Sequence, residues 1–186
     1  MKKLVFFLLP LAIAITSCTK QNKEEVTNKW TVSSPNKGLS AVITLSDEGG
    51  LSYLVVNGAD TIIKPSALGI TRADQDFTSG LTISGAPETK TVDETYTMVT
   101  GKRKENRNNA NELILTLVNS GQEKLQVVFR AYDEGVAFRY NFPDTKEGVF
   151  TVTGETTTFT IPTNGKAWLQ RQGLPTEWGP AYEEFY

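Results

Sequence analysis

From Trp30 onward apolar and polar residues alternate with period two, and 3.6-period apolar stretches are absent. That pattern admits half-buried strands and argues against amphipathic helices. Leu39, Ala41, Ile43 and Leu45 alternate with Ser40, Val42 and Thr44, and Leu113, Leu115 and Leu117 alternate with Glu112, Ile114 and Thr116. Val136, Phe138, Tyr140 and Phe142 share one face of a third run whose other face carries Ala137, Arg139 and Asn141. Successive strand side chains point to opposite faces, so each run has one buried and one wet side. Turn signals separate the runs: Asp47-Glu48-Gly49-Gly50, Asn57-Gly58, Ser120-Gly121, Asp133-Glu134-Gly135 and Asn164-Gly165. Roughly eleven candidate strands lie between Trp30 and Gln170, too many for one open twisted sheet. The expectation is an all-β fold of two antiparallel sheets packed face to face. Two stretches break the pattern. Gly101 to Asn109 is polar and basic, expected as a nine-residue loop that is either a solvated hairpin tip or a ligand-presenting element. Gln170 to Tyr186, rich in Gly, Pro and aromatics, is expected to be a loop.

The chemistry open to such a chain is narrow. It has no His and one Cys, so a Ser/His/Asp or Cys/His triad, a CxxC redox pair, an intrachain disulfide and a thiolate zinc site are all excluded. Catalysis or binding must rest on carboxylates, Lys, Tyr or backbone groups. A formal net charge of -2 offers no attraction for a polyanion, so nucleic acid is not an expected partner.

The N-terminus reads as an export signal. Lys2 and Lys3 precede an apolar run from Leu4 to Ile15 that Pro10 interrupts. This is shorter than the ~20 residues a membrane span needs and fits the roughly 7–15 of a signal h-region. Ile15-Thr16-Ser17-Cys18 resembles a bacterial lipobox, in which the cysteine thiol takes a diacylglycerol and becomes the new N-terminus. Residues 1–17 are therefore expected to be a lipoprotein signal peptide, with Cys18 lipidated. The other reading is an ordinary signal peptide with a leftover cysteine. Residues 18–29, polar and almost free of apolar side chains, suit a flexible tether. The expected location is outside the cytoplasm, as an outer-membrane lipoprotein on its periplasmic or cell-surface face.

Several segments, in order, resemble the N-terminal domain of glycoside hydrolase family 97, bacterial α-glucosidases and α-galactosidases. They are W-T-V-S-S-P-N-K-G-L-S from Trp30, K-P-S-A-L-G-I from Lys64, N-E-L-I-L-T-L from Asn111, and the hairpin V-F-R-A-Y-D-E-G-V-A-F-R-Y-N-F-P from Val128. A-Y-E-E-F-Y from Ala181 resembles the family's Y-E-x-x-Y segment. The resemblance implies that 30–186 form a β-supersandwich of galactose-mutarotase-like shape, incomplete at its C-terminal end. In the family this sandwich packs against a (β/α)₈ catalytic barrel, which would lie beyond this sequence. Catalytic residues are then none, and this chain alone is expected to be inactive. The implied partners are the barrel, an α-linked oligosaccharide as the whole enzyme's substrate, and a membrane through the lipid anchor. The resemblance also implies a calcium ion near the substrate with one ligand from this domain. That role falls on Glu183, with Glu184 as the adjacent candidate.

The remaining polar and aromatic residues have two readings each. Arg130, Tyr132, Asp133 and Arg139 suit a carbohydrate site, or structural duty on and beside a hairpin, which alternation favours by setting Arg130 opposite Phe129. Trp168 and Trp178 suit a sugar platform, or an interface or core. Asp133 and Glu134 fail as a catalytic pair, because glycosidic carboxyls flank the substrate about 5–9.5 Å apart in a rigid cleft. A stand-alone lipid-anchored carbohydrate-binding or structural module is the competing function.

Overall fold

The computed structural model of the protein describes residues 28–143, 148–170 and 172–179. The expected leader, Cys18, most of the expected tether, Glu183 and Glu184 lie outside those residues. Eleven strands and no helix make up the described chain: β1 Lys29–Ser33, β2 Leu39–Leu45, β3 Leu51–Asn57, β4 Asp60–Leu68, β5 Ile70–Arg72, β6 Thr82–Ile83, β7 Glu88–Thr97, β8 Glu105–Val118, β9 Lys124–Ala131, β10 Val136–Asn141 and β11 Val152–Glu155. One sheet runs β1-β2-β3-β4, and the second runs β10-β9-β8-β6 with β7 also paired to β8. All pairings are antiparallel, and β11 with β5 forms a small third sheet. Across the sandwich β1 meets β8 and β9, while β2 meets β9 and β10.

The alternation read from sequence is the alternation of burial. Ala41, Ile43 and Leu45 of β2 face Leu113, Leu115 and Leu117 of β8 and Leu125, Val127 and Phe129 of β9 in one core. Fully burying a Leu, Ile or Phe side chain contributes about 1.5–3 kcal/mol, so these three strands carry much of the hydrophobic stabilisation. The Asp47–Gly50 signal is a tight turn closed by Ser46 N–H to Gly50 O at 2.9 Å, with Gly49 at a φ of 74°.

The expected nine-residue loop at 101–109 is shorter than its polarity suggested. Its second half belongs to β8, which begins at Glu105 and pairs with β7 from Thr97↔Glu105 inward. Polar residues hold that register through cross-strand pairs: Arg107 donates both Nε and Nη2 to Asp93 at 2.7 Å, and Asn108 donates to Glu94. Beside residues 105–110 β8 pairs with β7 alone, so a two-stranded arm extends past the sandwich. Residues 170–179 contain no strand among those described, as expected; a Thr176↔Gly179 bridge closes a turn there.

Candidate functional site

The two sheets are offset. Beyond the edge of β10, the inner faces of β3 and β4 are lined by residues 156–160, which run beside β4 through Thr156 N–H to Gly69 O, Thr158 N–H to Ala67 O and Lys64 N–H to Thr160 O. Between β10 with its preceding turn and residues of β3 and β4 lies a groove of about 710 Å³, to which this segment contributes Phe159. Tyr53, Phe138 and Phe159 form its aromatic wall, with Ile62 and Ile63 of β4 beyond them. Phe159 stacks on Phe138 at 6.0 Å and meets Tyr53 edge-on at 6.2 Å. Asn36, Asp133 and Glu134 rim one end, where Asp133 Oδ1 accepts the Asn36 N–H at 3.0 Å and ties the β9–β10 turn to the β1–β2 turn.

Tyr53 anchors the groove floor. Its hydroxyl donates to Thr158 O at 3.1 Å, and the residue is buried. Burial, reinforced by the neighbouring Tyr140, pushes its phenol up to about 12 from an ordinary 10.0. Deprotonation is thus easier in the unfolded chain than in the fold. Stability is fully present below pH 10 and is lost as pH rises from 10 toward 12. Burial raises the Tyr140 phenol as well, so absorbance of tyrosinate against pH, run beside far-ultraviolet circular dichroism, is expected to show a late phenol ionisation coincident with unfolding that Tyr53→Phe reduces.

A second polar constellation lies on the outer face of the β7–β8–β9 sheet. Lys90, Glu112 and Arg130 occupy one cross-strand row. Lys90 Nζ sits 2.9 Å from one Glu112 carboxylate oxygen, and Arg130 Nε donates to the other at 2.5 Å. The Glu112 side chain is only 1% exposed. Burial pushes its carboxyl up, but the hydrogen bonds and charges of Lys90 and Arg130 outweigh that and leave it below the usual range. An ionised carboxylate with both oxygens occupied is a poor general acid, so this cluster ties strands together rather than moving protons. A folded-state value below 4.5 means that Glu112 supports the fold above that pH and stops doing so as the pH falls below it. Glu112→Gln is accordingly expected to lower stability at pH 7 and to flatten the acid limb of a stability–pH curve measured by denaturant titration.

The residues singled out from sequence separate into two groups. Arg130 is a structural ion-pair partner and Asp133 a backbone cap, as alternation and turn chemistry favoured. Arg139 is exposed on the outer face beside Ala137. Trp168 and Trp178 do not enter the core: they are 83% and 91% exposed, with Leu169 and Leu174 exposed between them. Sequence reasoning missed the groove itself, because Tyr53 and Phe159 are 105 and more positions apart across the Thr158 bond and only the tertiary fold joins them. It also missed Arg72, which is 6% exposed, paired with Asp74 and held under the rings of Phe142 and Phe150. Among the described residues no three His, Cys, Asp or Glu side chains converge in a metal-binding group.

Residues 32–186 match the family model described as glycosyl-hydrolase 97 N-terminal. A probable retaining alpha-galactosidase of Streptomyces bingchenggensis (strain BCW-1) is 34% identical over 165 residues, which is 87% of this chain and 25% of that protein. The chain thus spans about a quarter of the length of this curated relative. Among solved structures, that of a beta-arabinopyranosidase superposes with a TM-score of 0.66 at 31% identity, covering 72% of this chain and 21% of that one. A glycoside hydrolase family 97 enzyme from Pseudoalteromonas sp. strain K8, solved with panose, gives a TM-score of 0.64 at 24% identity over 79% of this chain and 22% of that one, a likeness of fold.

Proposed function

Because the chain belongs to glycoside hydrolase family 97 as its N-terminal β-sandwich, we propose that it is the non-catalytic wall and brace of an α-glycosidase whose reacting carboxylates lie on a separate (β/α)₈ domain. The observation that carries this reading is the exposure of Trp168, Leu169, Leu174 and Trp178 within one strand-free segment. Exposed apolar side chains gathered in one region mark interaction surfaces, and large aromatics dominate the energetics of such contacts. A catalytic domain docked there would cover them and set the sandwich against the substrate, an α-linked oligosaccharide.

Calcium fits this arrangement only as a shared ion. Ca²⁺ takes six to eight oxygens, and one carboxylate supplies at most two. The described residues offer no cluster for it, so Glu183, or Glu184 beside it, would contribute one ligand to a site completed by the catalytic domain. Calcium added to the 186-residue chain alone is expected to leave its melting temperature unchanged. Acylation of Cys18 and residence in the outer membrane belong to the same proposal; labelling with radioactive palmitate that Cys18→Ser abolishes would support them, and labelling that persists would contradict them.

The docking role is tested in the complete enzyme by Trp168→Ser with Trp178→Ser. One cooperative melting transition is expected to split into two, with loss of activity. A single unshifted transition with full activity would remove this surface from the account. A coding region that stops after Tyr186 would favour the stand-alone module instead.

A further inference from the structure

The β7–β8 arm differs in chemistry between its stem and its tip. The ladder that ends at Thr97↔Glu105 is extended by Met98 N–H to Lys104 O at 2.8 Å, which leaves residues 99–103 as the turn. Residues 93–105 are all exposed. Tyr96 is 50% exposed, Met98 43% and Val99 wholly so. Beside them stand Lys102, Arg103 and Lys104, and no Asp or Glu occurs in residues 96–104, on a chain whose formal net charge is -2. Among the described residues no carboxylate pairs with any of these three cations. The neighbouring acids belong to the stem, where Asp93 accepts from Arg107 and Glu94 from Asn108. The stem is thus polar and self-paired, while the tip is apolar and cationic.

Apolar side chains gathered at the end of a projecting arm mark a contact surface. Residues 96–104 fall far short of the about 20–30 residues a side that a standard protein interface uses. They suffice for a lipid surface, where a few apolar side chains enter the headgroup boundary and Lys and Arg meet the phosphates. Tyr96 suits the same depth, with an apolar ring and a polar hydroxyl. A soluble polyanion would engage the cations but leave Met98 and Val99 in water. We propose that the tip of the β7–β8 arm docks on an anionic phospholipid surface, with Met98 and Val99 entering the headgroup boundary and Lys102, Arg103 and Lys104 lying among the phosphates. The chain enters the sandwich at the opposite end of β8, since Asn28 lines a cavity with Ile83, which pairs with Leu117. About a dozen residues of extended strand, roughly 40 Å, separate that end from the tip. The arm is therefore a membrane contact of its own, independent of an acyl chain at Cys18, and the two together would lay the long axis of β8 along the membrane.

A reporter on the arm tests it. The 186-residue chain has one Cys, so Cys18→Ser with Val99→Cys places a single thiol at the tip for an environment-sensitive nitrobenzoxadiazole dye. Whatever part holds the chain on a vesicle, the dye reads the tip. With vesicles of mixed phosphatidylcholine and phosphatidylglycerol, its emission is expected to shift to the blue and to be quenched by lipids spin-labelled near the headgroup. Lys102→Gln, Arg103→Gln and Lys104→Gln together are expected to raise the lipid concentration at half-effect about hundredfold. The same dye on Glu134→Cys, at the acidic tip of the β9–β10 hairpin, is expected to keep its emission in water. The proposal is overturned by a Val99→Cys dye that ignores the vesicles, by an equal response to pure phosphatidylcholine or to loss of the three charges, or by an equal response at Glu134→Cys. A dye already blue-shifted in the complete enzyme without vesicles would also overturn it, and would give the tip to a protein contact.

Discussion

Phe129→Ala is expected to lower the unfolding free energy by about 3–5 kcal/mol, the range for removing a buried aromatic ring. Phe129 has no exposed surface, and its ring lies 5.8 Å from Tyr53 and 5.4 Å from Phe138. It is the point where β9 of one sheet packs on β3 of the other. The neighbours cannot collapse into the space it leaves, because the hydroxyl of Tyr53 is held by Thr158 O and Phe138 is fixed by its strand. Domains are stable by only about 5–15 kcal/mol, so this one substitution removes a large part of the total. Urea titration with an unchanged slope measures it. Phe129→Leu, which keeps most of the volume, should cost less than half as much, and a loss below about 1 kcal/mol for the alanine variant would mean that the sheets do not meet at this ring.

Gly49→Ala is the second large effect, and its origin is backbone rather than core. Gly49 has a φ of 74°, and a β-carbon there would stand 2.3 Å from Leu81 N and 2.6 Å from Gly80 C. Those atoms are main chain and are themselves pinned, since Gly80 N–H donates to Glu48 O and Leu81 N–H to Gly49 O. Left-handed strain and the enforced backbone shift together should cost about 2–4 kcal/mol. Gly58→Ala is the control: it shares a positive φ, 56°, but meets nothing within 4 Å. Its cost should stay near the 1–2 kcal/mol of a single left-handed residue. Equal losses in the two variants would show that the approach of residues 80–81 to the β2–β3 turn contributes nothing.

The fold was legible wherever one face of a strand is buried and the other wet. Ala41-Ile43-Leu45 and Leu113-Leu115-Leu117 announce their burial by alternation alone, and Asp133-Glu134-Gly135 announces a hairpin. The β7–β8 arm was not legible, because its strands are polar on both faces and are registered by Arg107–Asp93 and Asn108–Glu94, pairs with no local signature. Nor was the groove. Its walls come from β3, β4, β10 and Phe159, segments far apart in the chain that only the tertiary fold brings together. The order of motifs from Trp30 to Tyr186 pointed to the family, which the match over 32–186 shows. What the lipobox-like segment implies for Cys18, and the family resemblance for Glu183 and Glu184, concerns residues outside the described structure. The exposed tryptophans illustrate the general limit: a sequence shows that Trp168 and Trp178 are aromatic, while their exposure is a property of the fold, in which neither lies on a strand.

The most direct test of the account is an assay of the purified 186-residue chain with aryl α-glucoside and aryl α-galactoside in the presence of calcium. The account places the reacting carboxylates on another domain and therefore predicts release of aryl alcohol no faster than in buffer, from a chain that melts cooperatively. Hydrolysis by the folded chain alone would contradict it, and would require a catalytic pair within the sandwich.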